Sequence, residues 1–261
     1  MLFSIEALNG IKLQHIEQLE ACDRYLLSKS LDAISTTATE AFYLETGFLP
    51  LRFTIMARRL IYFWTILNKP ESELVKKVYL AQTIVPLKND WVSQIKDDLL
   101  ALNIDLTESE IKSMKKGKFK SLVKEKVKEL ARNHLLDLKS SHSKSRGLSN
   151  KFVMQPYLKS NSLTLHEKQL LFKFRTFTYE CKANFRNKFH MNLSCTDCGN
   201  EDTQEHLLNC SIHDNDKTDM KFSDIFGTLE QQTNIIKELT KINFKRTSIS
   251  LKPSLWKPCA P

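Results

Sequence analysis

A chain of 261 residues, 41% of them hydrophobic, is long enough for one large domain or two small ones with a packed core. Six glycines and seven prolines are too few for a turn-rich all-β fold. A net charge of +9 and a pI near 9.2 favour a polyanionic partner without identifying one.

The opening MLFSIEALNG lacks a basic start and a long apolar run, so no secretory leader is read there. The most apolar run, Leu60 to Leu67, is shorter than the roughly 18–20 residues of a membrane helix. Six cysteines fit a reducing compartment better than a secreted disulfide framework. The expectation is a soluble intracellular protein, in nucleus or cytoplasm, with no membrane partner.

Apolar residues recur at spacings of three and four, which predicts an all-α chain. A first helix is expected from about Lys12 to Ile34, with Ile16, Leu19, Leu26, Leu27 and Leu31 turned inward. The Ser35–Glu40 stretch offers an N-cap for a short helix that stops at Gly47. After Pro50 an apolar helix runs to about Asn68, carrying Phe53, Ile55, Met56, Leu60, Ile61, Phe63, Trp64 and Leu67. Around it, Arg52, Arg58 and Arg59 are open to a phosphate or to salt bridges. Ser72 begins the next helix. Asp90 caps one that holds Trp91, Ile95, Leu99 and Leu102, and Thr107–Glu110 opens another. A break is expected at Lys116-Gly117, then a helix over about 118–139 with Phe119, Leu122, Val123, Val127, Leu130 and Leu138 on its inner side. The Ser-rich SSHSKSRGLSNK reads as a flexible connector. A helix from Leu165 to about Phe189 leads into a cysteine cluster, and one further helix is expected near 228–242 before a disordered tail.

The charge is uneven along the chain. Residues 1–111 hold 11 Lys/Arg against 15 Asp/Glu, residues 112–190 hold 20 against 5, and residues 191–261 hold 8 against 10. Two stripes carry the basic middle. Around the expected 165–189 helix, Lys168, Phe172, Arg175, Tyr179, Lys182 and Arg186 fall on one side at steps of three and four. Cations for phosphates interleaved with rings for stacking are what single-stranded nucleic acid requires, although Phe172 and Tyr179 would equally pack under a neighbour. The second stripe, Lys120, Lys124, Lys128 and Arg132, is either a phosphate-binding face or a plain solvated one.

The sharpest signal is Cys195-x2-Cys198-x7-His206-x3-Cys210. Two thiolates two residues apart can meet one ion from a tight turn, and a His and a Cys four apart share one helical face. Gly199 stands where such a turn needs positive φ, and Asp202 or Thr203 could start the helix. The expected cofactor is Zn2+. Its four protein ligands leave no open position, which makes it structural. A disulfide between two of the cysteines, or unliganded thiols, are the competing readings. Cys22 and Cys181 read as core residues, Cys259 lies near the loose end of the chain, and His213 is a weaker rival ligand.

Catalytic motifs of the G-x-x-x-x-G-K-[ST], H-E-x-x-H and G-x-S-x-G kinds are missing. Asp97 and Asp98 are adjacent on a helix, diverge by about 100°, and read as a solvated pair that is a poor two-metal site. No enzymatic activity is expected.

Three stretches resemble the region that follows the polymerase palm in non-LTR (LINE-like) retrotransposon reverse transcriptases. They are TTATEAFYLETGFLPLRFTIMARRLIYFWTIL at 36–67, MKKGKFKSLVKEKVKELARNHLLDLK at 114–139 and CTDCGNEDTQEHLLNC at 195–210, and the likeness spans roughly 12–226. The resemblance implies a thumb-like helical unit (1–110), a basic helical linker (111–190), a C-C-H-C zinc knuckle (191–213) and a C-terminal helix with a disordered tail (214–261). It also implies that the knuckle, through Cys195, Cys198, His206 and Cys210, helps to grip template RNA or target DNA. RNA or single-stranded DNA is therefore the expected partner. The fingers and palm of such polymerases, with their paired catalytic aspartates, have no counterpart in these residues, so the family's polymerase activity is not expected of them.

Overall fold

The structure, a computed structural model, describes residues 13–85, 87, 90–185, 193–195, 198–210 and 221–248, without the side chains of 185 and 243–248. The described residues form α1 (Leu13–Ser30), α2 (Thr39–Thr46), α3 (Leu51–Leu67), α4 (Leu74–Ile84), α5 (Trp91–Ala101), α6 (Glu108–Ser113), α7 (Lys116–Ser141), α8 (Pro156–Lys159), α9 (Leu165–Arg175), α10 (Gln204–Asn209) and α11 (Leu229–Ser248). The fold class is all-α. Among the described residues the β-type pairing is limited to an isolated antiparallel bridge between Ser194 and Glu201, and no helix is long and apolar enough to cross a membrane.

The chain divides into two compact units that are not contiguous in sequence. One comprises Met1–Leu26 with Phe48–Leu138, the other Leu27–Gly47 with Lys139–Pro261. The divisions expected at 110 and 190 do not coincide with these limits.

In the first unit α3 is the central element and packs on α4, α5 and α6. Phe53, Ile55, Leu60 and Phe63 of α3 are buried, as are Trp91 and Ile95 of α5. Asp90 caps α5 by accepting from the Ser93 N–H, and Thr107 with Glu110 makes a reciprocal capping box for α6. The Trp64 Nε1–H donates to the Met114 carbonyl at 2.9 Å, tying α3 to the α6–α7 junction. Two arginines of α3 are anchors. Arg52 holds the buried Glu20 of α1, and Arg59 holds the buried Asp98 of α5 at 2.7 Å. Asp98 therefore corrects the expectation of a solvated Asp97–Asp98 pair: only Asp97 faces water. α1 also departs from its expected pattern. Leu19, Leu26 and Cys22 are exposed, because Glu20 with its arginine takes an inward position that the apolar pattern gave to leucine.

α7 runs 26 residues from Lys116, so the break expected at Lys116-Gly117 falls instead at Met114-Lys115, and Gly117 lies in the first turn of the helix. Its buried residues, Phe119, Val123, Val127, Ala131 and Leu135, repeat every four positions.

In the second unit α11 packs against α8, α9, α10 and a 3-10 turn at Phe222–Phe226. Buried Ile235, Ile236 and Leu239 supply its apolar face. Phe42 of α2 stacks on Phe172 of α9 at 5.8 Å. The stretch expected to be a flexible connector is instead fixed. Glu40, fully buried, accepts from the Ser145 hydroxyl and contacts His142 Nδ1 at 2.8 Å, and Leu148 is buried. The Lys139 ammonium adds bonds to the Leu148 carbonyl and Asn150. A buried carboxylate needs such partners, which turns a polar stretch into a packed one.

Candidate metal centre

The end of α9 determines what leads into the cysteine cluster. Thr164 and Glu167 form a capping box that starts α9, and the helix stops at Arg175. Phe177 then takes a left-handed φ of 52°. The Thr178 N–H reaches back to the Lys173 carbonyl at 2.9 Å, and the Phe177 N–H to Phe174 at 3.3 Å. This is the paired bonding of a Schellman stop, with phenylalanine where glycine is usual. Contact between the Phe177 and Phe222 rings, centroids 5.7 Å apart, accompanies it. Among the described residues, the expected helix from 165 to 189 is therefore two short pieces, α9 and a 3-10 turn at Lys182–Phe185.

Beyond the turn, Ser194 and Glu201 bridge a tight loop. The Gly199 N–H donates to the Cys195 carbonyl at 3.0 Å, and Gly199 has the positive φ, 79°, that the loop requires. Thr203 caps α10 by accepting from the His206 N–H at 2.9 Å. Loop and helix bring four donors together: the thiols of Cys195, Cys198 and Cys210 and a ring nitrogen of His206 all lie within 4.8 Å of one another. Cys198 Sγ is 3.2 Å from His206 Nε2 and 3.8 Å from Cys210 Sγ. All three cysteines are free thiols, which sets the disulfide reading aside. Sulfurs bound at about 2.3 Å to one tetrahedral ion lie about 3.8 Å apart, so the donor set fits a divalent metal. The backbone N–H of Asn200 holds the Cys198 thiol below its ordinary value, and the neighbouring Cys210 and Cys195 add to the effect. A lowered thiol favours the thiolate that a metal needs. His213 lies outside the described residues, as does Cys259.

Two buried residues attach this loop to its unit: Gln204, which sequence reading missed, and Asp202, which it read only as a helix start, the place that Thr203 takes. Asp202 is buried, and its carboxylate accepts from the Lys182 backbone N–H at 2.9 Å. Gln204 is buried too; its amide donates to the Phe174 carbonyl at 2.9 Å and accepts from Asn184 at 2.6 Å. The signal that could have found them is the polar run between Cys198 and His206, longer than a bare turn needs.

The stripe expected over 165–189 is not a surface. Phe172 and Arg175 are buried, and Arg175 is paired with Glu45. Tyr179 is buried with its ring stacked on Phe174 at 4.2 Å. Lys182 donates to the Ser194 carbonyl at 2.6 Å, Lys168 is half-buried on α9, and Arg186 lies outside the described residues. Phe172 and Arg175 lie within α9 and turn inward, the one stacked on Phe42 and the other paired with Glu45, and the helix stop at Thr176 turns Tyr179 and Lys182 away from the expected face. The other stripe has the expected placement: Lys120, Lys124, Lys128 and Arg132 are all exposed on α7. No protein-family model, curated protein or solved structure matches this chain.

Proposed function

We propose that this chain is a non-catalytic nucleic-acid-binding module whose second unit is organised by one structural zinc ion, of the kind that its resemblance to the C-terminal part of non-LTR retrotransposon reverse transcriptases implies. The observation that carries the binding role is the exposed row on α7. Lys120, Lys124 and Lys128 form no ion pair among the described residues, whereas Lys126 of the same helix pairs with Glu129. Like charges four residues apart destabilise a helix by roughly 0.2–0.5 kcal/mol per pair, so the two steps together cost about 0.4–1 kcal/mol. A polyanion lying along the row removes that cost and releases its own counterions.

Zinc is the ion that three thiolates and one imidazole select, and a site closed by four protein ligands holds structure and supplies no reaction. The test of the binding role is fluorescence anisotropy with labelled polynucleotides for the wild type and for K120Q/K124Q/K128Q. The expected result is salt-sensitive binding that the triple variant weakens. Binding indifferent to salt, or unchanged in the variant, would overturn it.

A second reading, a helical scaffold that uses the metal unit for protein contacts, is favoured by a different observation. An open groove of about 610 Å³ runs beside α10, lined by Phe177, Phe222, Phe226, Glu205, Asn209 and Lys221. Half-exposed rings in a groove suit an apolar peptide side chain. Substituting Phe222→Ser would then abolish capture of a discrete protein partner and leave polynucleotide binding intact.

A further inference from the structure

We infer that α7 takes the phosphate backbone of a duplex in preference to an unpaired strand. This rests on the nucleic-acid reading of α7 above and names its substrate class. Unpaired strands are held by cations together with exposed rings on which bases stack. The two rings that sequence pattern places among cations, Phe172 and Tyr179, are interior. The exposed row itself has none. Phe119 of α7 is buried, His134 sits edge-on against Phe53 at 5.7 Å, and the positions that follow the row's lysines and arginine are Ser121, Glu125, Glu129 and Asn133. Exposed carboxylates beside the row repel a strand that tries to spread sideways and leave a single line of positive charge.

With no ring in the row itself, charge density decides along it. From Lys120 to Arg132 the row rises about 18 Å, at 1.5 Å per residue. A duplex presents one charge per about 1.7 Å of axis and a single strand one per about 3.4 Å, so the potential that the row meets is the stronger along a duplex. Each contact also releases more counterion from a duplex, about 0.9 against about 0.7. The buried row Phe119, Val123, Val127, Ala131 and Leu135 fixes α7 along its length, so the cations are presented as a rigid line. A rigid line suits a stiff backbone and gains little from a coil that must be straightened to meet it. No base-reading pair of side chains accompanies the lysines, so recognition is independent of sequence.

The experiment is anisotropy with the full zinc-loaded chain and a labelled duplex, set against each of its separated strands and a poly-dT strand of equal length. Duplex DNA, duplex RNA and the hybrid form separate arms. Four contacts predict log–log salt slopes of about −3.6 for duplex and about −2.8 for single strands. If both bind alike at 1 M salt, the duplex is favoured about sixfold at 0.1 M. The K120Q/K124Q/K128Q variant, chosen because uncharged glutamine keeps helix propensity, should lower the duplex slope by about 2.7. Equal or tighter binding of the single strands would overturn the inference and leave the nucleic-acid reading standing. A duplex preference that survives the triple variant would also overturn it. No salt-sensitive binding of any polynucleotide would remove the nucleic-acid reading itself.

Discussion

Arg175 and Glu45 face each other as a two-point ion pair inside the second unit, Nε to Oε2 at 2.8 Å and Nη2 to Oε1 at 2.9 Å, with neither side chain more than 2% exposed. The remaining guanidinium nitrogen, Nη1, donates to the Ile225 carbonyl at 2.6 Å, and the group lies over the rings of Tyr157 and Phe226. Burial works against the charge on Arg175, but the Glu45 carboxylate outweighs it and the guanidinium titrates above its ordinary value. Removing one member of such a pair leaves an uncompensated buried charge, worth about 3–5 kcal/mol. Arg175→Ala should therefore lower the unfolding free energy by that amount in chemical denaturation, while R175M/E45L recovers much of the loss. An Arg175→Ala chain as stable as wild type would show that the pair is solvated.

The helices were legible because their signals are local. Asp90, and Thr107 with Glu110, are caps that announce themselves within four residues. The metal ligands were legible for the same reason: their spacing lies inside 16 residues. What was not legible depends on partners far away in the chain. Arg175 could be read as a phosphate ligand because Glu45 is 130 residues distant, and Asp98 as a solvated acid because Arg59 is 39 residues away. The connector after α7 could be read as flexible because Glu40, which fixes it, lies 102 residues before His142. The stop of α9 was hidden by Phe177, since a bulky residue with positive φ is no local stop signal.

Metal removal should act on one part of the molecule. Structural zinc in finger-type peptides contributes on the order of 10–16 kcal/mol, far more than the roughly 2–3 kcal/mol from burying a side chain such as Leu207. Native mass spectrometry should find one zinc per chain, and Cys210→Ser should lose it. A strong chelator should then raise hydrogen exchange over 194–210 and at the end of α9, which is bonded to Gln204 through the Phe174 carbonyl. Exchange in α3 and α5 of the first unit should stay unchanged. Unaltered exchange over 194–210 after the metal is stripped would mean that the loop and α10 hold themselves.

Acid should reach the first unit through Glu20. Burial alone would raise its carboxyl, but hydrogen bonds from Arg52 and the charge of that guanidinium outweigh it, and the group lies below its ordinary value of 4.5. A depressed folded value means that stability is complete above pH 4.5 and is lost as pH falls through the lower, folded value. Melting temperatures of wild type and Glu20→Gln should thus differ above that pH and converge below it. Asp98 has the opposite sign. Burial raises its value despite Arg59, so stability falls as pH rises from the ordinary 3.8 toward the raised value. Parallel melting curves for wild type and Glu20→Gln at every pH would show that Arg52 does not control this carboxylate.

Two glycines should respond to alanine in opposite directions. Gly47 ends α2 with φ 67°, and a Cβ there would lie 2.3 Å from the Met154 nitrogen and 2.6 Å from the Val153 carbonyl carbon. Both neighbours are backbone, and the Gln155 N–H beside them is bonded to the Glu45 carbonyl at 2.9 Å, so they cannot retreat without breaking the contact between 153–155 and α2. The left-handed conformation alone costs alanine about 1–2 kcal/mol, and the clash adds to it. Gly117 sits in the first turn of α7 with nothing within 4 Å of a Cβ. Alanine there gains up to about 1 kcal/mol from reduced backbone freedom in the unfolded chain. Thermal unfolding of Gly47→Ala and Gly117→Ala should move down and up respectively. A Gly47→Ala chain that melts with the wild type would mean that the 153–155 stretch does not lie against α2.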